Sequence, residues 1–134
     1  MDPDIELLAA AVGVAEAGGE SDPRAIPAVL ELMRNRVGTR WPDLASAVLA
    51  PKQFSCLNGV ADLDGFVQTQ GRHPRFLEAS IAAAGPGTDY TRGATHYCRV
   101  DCNPSWAEGL EPTVEIERHM FYRLSNNGPL PPPP

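Results

Sequence analysis

No apolar run in this 134-residue chain approaches the roughly 18 residues of a helical membrane span, so no membrane insertion is expected. Met1-Asp2-Pro3-Asp4 has none of the positive charge that begins a secretory signal, and as written the chain offers no Sec-type address. Basic charge is also short. Lys and Arg total 11 against 17 Asp and Glu, for a net charge of -6, and Lys52 is the single lysine. Nucleic-acid backbones reward clustered basic side chains, so this balance points away from a nucleic-acid partner. A glycine-rich phosphate loop, a G-x-S-x-G elbow and an H-E-x-x-H helix are all missing, which leaves nucleotide-binding, serine-hydrolase and zincin chemistry without residues to carry it. Cysteine is limited to Cys56, Cys98 and Cys102, an odd number that cannot pair completely within the chain.

What is present is an ordinary globular composition, 43% apolar and 21% charged. The length suits one domain with its own core. The expected division is a catalytic-sized domain over residues 1–126 and a proline-rich tail over 127–134. His96, Cys98 and Cys102 form an H-x-C-x3-C cluster that needs a fourth ligand, His119 or Cys56, before it closes a zinc site. A disulfide and free thiols are the other readings of these cysteines. Asp62-Leu63-Asp64-Gly65 resembles the start of a calcium loop, lacks that loop's later acidic ligands, and reads as a polar turn. Neither a metal nor a cofactor is expected.

Apolar spacing predicts a helix over Ile5 to Ala17, capped by Asp2 or Asp4 and stopped by Gly18-Gly19. Ser21-Asp22-Pro23 opens a second helix with Ile26, Val29, Leu30, Met33 and Val37 on its inner face, and Pro27 one turn in. Leu44 to Leu49 and Arg75 to Ala84 read as further helices. Lys52 to Gly71 reads as turns and short extended pieces, with Phe54, Leu57, Val60 and Phe66 pointing inward. Thr95 to Val100 and Val114 to Leu124 are aromatic and β-branched enough to be strands. Helices first and strands last is an α+β order, with a helical front half, a small antiparallel sheet and long loops.

One acid stands out. Glu16 lies between Val14, Ala15 and Ala17 near the end of the first helix, with Glu20 four positions on. Small apolar neighbours desolvate a carboxyl and hold its proton to higher pH, which is what a general acid for glycosidic cleavage requires. A solvated glutamate at a helix end is the bland alternative.

Ala15-Glu16-Ala17, Gly19-Glu20, Arg34-Asn35-Arg36-Val37 and Gln53-Phe54-Ser55-Cys56 follow one another in this order. Gly93-Ala94-Thr95-His96-Tyr97, Asn103-Pro104, Trp106 and Phe121-Tyr122-Arg123 come later. In order and spacing they resemble the spore cortex-lytic, SleB-like cell-wall hydrolase family. The resemblance implies a compact lysozyme-like α+β domain that cuts peptidoglycan glycan strands, with Glu16 as the catalytic glutamate. It further implies a lytic transglycosylase acting at the MurNAc–GlcNAc bond and leaving a 1,6-anhydro end. The chain departs from the family at Pro27, at His96, and over Val60 to Pro74.

One carboxyl suffices for that reaction, because the nucleophile is the substrate's own 6-hydroxyl. A muramidase needs a second carboxyl, for which Glu20, Asp62 and Asp64 are the candidates. Glu20, Gln53, Ser55, His96, Tyr97 and Trp106 are the candidate substrate-binding residues, each with a structural alternative in turn capping or core packing. Asn35 and Arg36 are read as holding the second helix to the strands. Peptidoglycan is the expected partner. With no export signal in view, the expected setting is a phage or gene-transfer-particle endolysin made in the cytoplasm and acting on the wall through lysis, or a domain carried among virion or tail components. The rival classes are a non-catalytic peptidoglycan-binding or virion module and a zinc amidase.

Overall fold

The computed structural model describes residues 4–39, 41–50 and 53–124, so the proline tail and the candidate cap Asp2 lie outside the described residues. Five helices and a three-stranded antiparallel sheet make up an α+β domain. No helix among the described residues is long and apolar enough to cross a membrane.

Helix α1, Ile5–Ala17, begins where Asp4 accepts the backbone N–H of Glu6 at 2.8 Å and ends at Gly18. Leu8 to Val14 are all buried. A helix apolar on every side belongs in the centre of a fold, and α1 is packed against α2, α4 and α5. Its Ala and Gly side chains let those neighbours approach closely. Ala15 breaks the pattern: sequence spacing puts it on the inner face, and the structure exposes it.

Helix α2, Ala25–Arg36, starts later than expected. Ser21 to Arg24 form a turn, with Asp22 accepting the Arg24 N–H at 2.9 Å. Pro27 therefore falls in the first turn, where its missing N–H leaves no bond unmade. Val37 lies beyond the helix and is exposed. Helix α3, Leu44–Leu49, carries a reciprocal cap between Asp43 and Ser46. The turn expected at Asp62 is corrected to the start of helix α4, Leu63–Gln70, with the Asp62 side chain accepting the Gly65 N–H at 3.0 Å. Helix α5, Phe76–Ala84, ends at Gly85.

Strand β1, His96–Arg99, pairs with β3, His119–Tyr122, which pairs with β2, Val114–Ile116. The single strand expected over 114–124 is thus a hairpin. Its turn holds Glu117 at φ 51, a region non-glycine residues rarely enter. The Glu117 carboxylate accepts Ser21 N–H (3.1 Å), Ser21 O–H (2.9 Å) and Asp22 N–H (2.7 Å), which ties the hairpin to the turn after α1.

Alternation along the strands puts Tyr97 and Phe121 in the helical core, and Cys98, Tyr122 and Met120 in a second cluster with Trp106 and Ala107. Asn35 and Arg36 join α2 to this layer. Asn35 Nδ2 donates to the Ala94 carbonyl at 2.9 Å, and Arg36 Nε to the Thr95 carbonyl at 2.7 Å. The buried Arg36 guanidinium also lies 5.2 Å from the ring centres of Trp41 and of Phe54. Burial pulls its pKa down to about 10.

Candidate active site

Helix α1 ends under the sheet, and there its last turn presents Glu16. The Tyr97 hydroxyl, reaching down from β1, donates to Glu16 Oε1. Burial raises the Glu16 pKa, and the hydrogen bonds of the Tyr97 hydroxyl and the Cys56 thiol lower it by less than burial raises it. Low-dielectric surroundings disfavour the carboxylate, so the proton is held to higher pH than on a surface glutamate. The Cys56 thiol is itself pushed up to about 12, by burial first and then by Glu16, and stays protonated.

Glu16 faces a cleft of about 300 Å³. Ala15, Gln53, Ser55 and Tyr97 line it with Glu16, and Cys98, Arg99, Cys102 and His119 also contribute. An adjoining space of about 220 Å³ shares Ala15, Glu16, Arg99 and His119 and adds Gly19, Glu20 and Arg118. The two are one groove with Glu16 at their junction. A polymer lying along it has room on either side of the Glu16 carboxyl. The exposure of Ala15, unexpected from spacing, follows from its place in this groove.

Of the residues singled out in the sequence, Glu16, Gln53, Ser55 and Tyr97 meet in the first space, and Glu20 lines the second. Gln53 Oε1 accepts from Arg36 Nη1 at 3.3 Å, which connects the groove to the buried arginine. Two candidates belong elsewhere. His96 precedes Tyr97 on the strand and so faces the other way. It is fully buried, with Nδ1 3.0 Å from Thr95 Oγ1 and its ring 5.3 Å from that of Trp106. Burial, then Arg36, pulls its pKa down to about 3, so it is a neutral core side chain. Trp106 packs edge-on against Tyr122 at 5.4 Å and lines neither space.

The H-x-C-x3-C spacing does not converge either. His96 is walled into the core, whereas Cys98 and Cys102 line the groove, and all three cysteines are free thiols. No group of three or more His, Cys, Asp or Glu is placed to hold a metal among the described residues. Asp62 is engaged as the α4 cap, and neither Asp62 nor Asp64 lines the groove. Arg99, Arg118 and His119 were not singled out as groove residues. The period of two from Tyr97 to Arg99 was the available signal for the first. Register pairs Arg99 with His119 and supplies the third, and that register depends on a hairpin the sequence did not show.

The Tyr97 hydroxyl stabilises the ionised form of Glu16, so removing it raises the acid's pKa further. If Glu16 serves as a general acid, the alkaline limb of the pH–activity profile is expected to move to higher pH in Tyr97→Phe, since such an acid must be protonated to act. A limb that stays put or moves down would separate Tyr97 from the acid's titration.

Comparison with known proteins agrees with this architecture. The cell wall hydrolase family profile matches residues 21–122, a span that includes Gln53, Ser55 and Tyr97 and begins after Glu16 and Glu20. Among solved structures, the catalytic domain of the Bacillus cereus SleB protein is similar at a TM-score of 0.64 and 22% identity. The alignment covers 89% of this chain and 88% of that one, and the likeness is one of fold. No curated protein matches the chain.

Proposed function

Since this chain belongs to the cell wall hydrolase family, we propose that it cleaves peptidoglycan glycan strands as a lytic transglycosylase, with Glu16 as both acid and base. The observation that carries this reading is one half-buried carboxyl, its pKa raised, at the junction of an elongated groove. Protonated Glu16 gives its proton to the glycosidic oxygen as the MurNAc C1–O bond breaks. The resulting carboxylate then takes the proton of the MurNAc 6-hydroxyl, whose oxygen closes on C1. The strand ends in a 1,6-anhydro ring, a GlcNAc hydroxyl is released, and Glu16 is protonated again. Tyr97 and Cys56 supply donors while Glu16 is ionised, so the charge formed mid-reaction is met by groups already in place. Gln53, with its carbonyl held by Arg36, keeps its amide N–H groups for substrate.

Hydrolysis by either stereochemical course needs a second carboxyl about 5–9.5 Å from the first. Glu20 is the other carboxyl of the groove, and it is occupied with the hairpin: its Oε1 accepts the Arg118 N–H at 3.2 Å. This favours the intramolecular nucleophile over water. Digested glycan is accordingly expected to carry 1,6-anhydro-MurNAc ends and no new reducing MurNAc, read by borohydride labelling and mass spectrometry. Mainly reducing MurNAc ends would establish a muramidase and make Glu20 the second carboxyl to test. Intact strands would leave a peptidoglycan-binding module, and amide cleavage without strand cleavage would indicate an amidase.

A further inference from the structure

Two arginines stand at one end of the groove. Arg99, at the end of β1, and Arg118, in the β2–β3 turn, both line the second space, and both are exposed. On a chain of net charge -6 this pairing is unusual. Each guanidinium meets a carboxylate through Nε. Arg99 Nε lies 3.2 Å from Asp101 Oδ1, and Arg118 Nε lies 3.6 Å from Glu20 Oε2. Among the described residues no hydrogen bond engages the terminal nitrogens of either guanidinium, the part that grips a carboxylate in bidentate fashion. The neighbouring acid is restrained as well. A hydrogen bond with Glu20, then the Ser21 and Asp22 donors, lower the Glu117 pKa, and burial, then Glu117, raises that of Glu20. His119, with Nδ1 3.5 Å from Glu20 Oε1, is kept toward its neutral form by burial.

We propose that this end of the groove is a carboxylate-binding subsite, in which Arg99 and Arg118 take an anionic group carried on the muramic-acid residue of the substrate. The proposal rests on the glycan-cleaving reading above. Arg99 lines both spaces, so the anion sits next to the bond that Glu16 serves. Of the two alternating sugars, MurNAc alone carries an acidic arm: its lactyl group ends in a carboxyl, either free or joined to a stem peptide that bears carboxylates of its own. GlcNAc has no such group. The subsite therefore sets which sugar lies on which side of Glu16, and hence which of the two glycosidic bonds is cut.

The test uses the non-cleaving Glu16→Gln protein and soluble glycan chains in three forms: peptide-bearing, amidase-trimmed with free lactyl carboxylates, and carbodiimide-amidated so that no carboxylate remains. Adding Arg99→Gln, or separately Arg118→Gln, is expected to weaken binding of carboxylate-bearing chains about tenfold. Amidating the chains is expected to weaken binding by Glu16→Gln alone by a similar factor. Making both changes should weaken it no further than either, as coupled partners require. Tighter binding of trimmed chains assigns the contact to the lactyl carboxylate, and tighter binding of peptide-bearing chains assigns it to the stem peptide. Effects that multiply independently, no effect of either change, or no binding of any chain would overturn the proposal. Binding is read without turnover, so a parent protein that fails to form anhydro ends refutes the reaction and leaves this measurement standing.

Discussion

Glu16→Gln is expected to reduce lysis of purified peptidoglycan by about 10²–10⁴-fold, the usual contribution of a positioned general acid. The substitution keeps the shape of the side chain and lets Tyr97 go on donating to an amide oxygen, and it removes the proton that the proposed reaction delivers to the glycosidic oxygen. Stability should not fall with activity. A carboxyl whose folded pKa is raised above its unfolded value opposes folding once pH passes the unfolded value, because ionising it is then easier in the unfolded chain. Near neutral pH the neutral Gln removes that opposition, and the variant should melt no lower than the parent. Turbidity loss and thermal melting, measured on the same preparations, check both halves. Equal lytic rates would remove Glu16 from the chemistry. A larger loss in Glu20→Gln would transfer the acid's role to the groove's other carboxyl.

Arg36→Ala is expected to destabilise the fold by about 3 kcal/mol, with lysis lost as the protein unfolds. Arg36 is buried without a carboxylate partner among the described residues, and its charge is satisfied by the Thr95 carbonyl, Gln53 and the faces of Trp41 and Phe54. Truncation strands the buried Thr95 carbonyl, releases Gln53 Oε1 and leaves space between two aromatic rings. Relief of the guanidinium's desolvation offsets part of this, which keeps the expected loss near the middle of the range for large core changes. Arg36→Lys keeps the charge and not the planar fork, so it should fall between parent and Ala. Urea unfolding measures the difference. A loss below about 1 kcal/mol for Ala would show that the layer is held without this arginine.

The sequence shows most clearly those elements whose causes are local. Helix α1 is legible because its cap, apolar run and glycine stop all lie within the segment they specify. Helix α4 is missed because its start, Asp62-Leu63-Asp64-Gly65, has the composition of a turn, and because the helix buries none of its residues completely. The hairpin is missed for a non-local reason. A left-handed turn position normally advertises itself with Gly or Asn. Here Glu117 occupies it, held by Ser21 and Asp22 from 96 and 95 residues away. The family was legible because its segments recur in order, and the profile match over residues 21–122 bears that out. Partnership within the groove was not. Tyr97 can be seen as a candidate, but its bond to Glu16 spans 81 residues and exists only once β1 lies over α1. His96 and Tyr97 look equally eligible in a string of letters, and the pleat of one strand sends them to opposite sides.

That 81-residue span also bears on the order in which the molecule assembles. Helices α1 to α5 follow one another along the chain and can collapse early, because closing loops of modest length costs little entropy. The sheet meets the end of α1 only after most of the chain has been synthesised and the largest loop has closed. The groove is therefore expected to form late in folding and to open early in unfolding. Substitutions in side chains that dock the sheet, such as Phe121 and Ile116, are expected to change mainly the unfolding rate, and those in the buried residues of α1 and α2 mainly the folding rate. The lifetime of the groove is thus expected to depend on a different set of residues from those that create the scaffold.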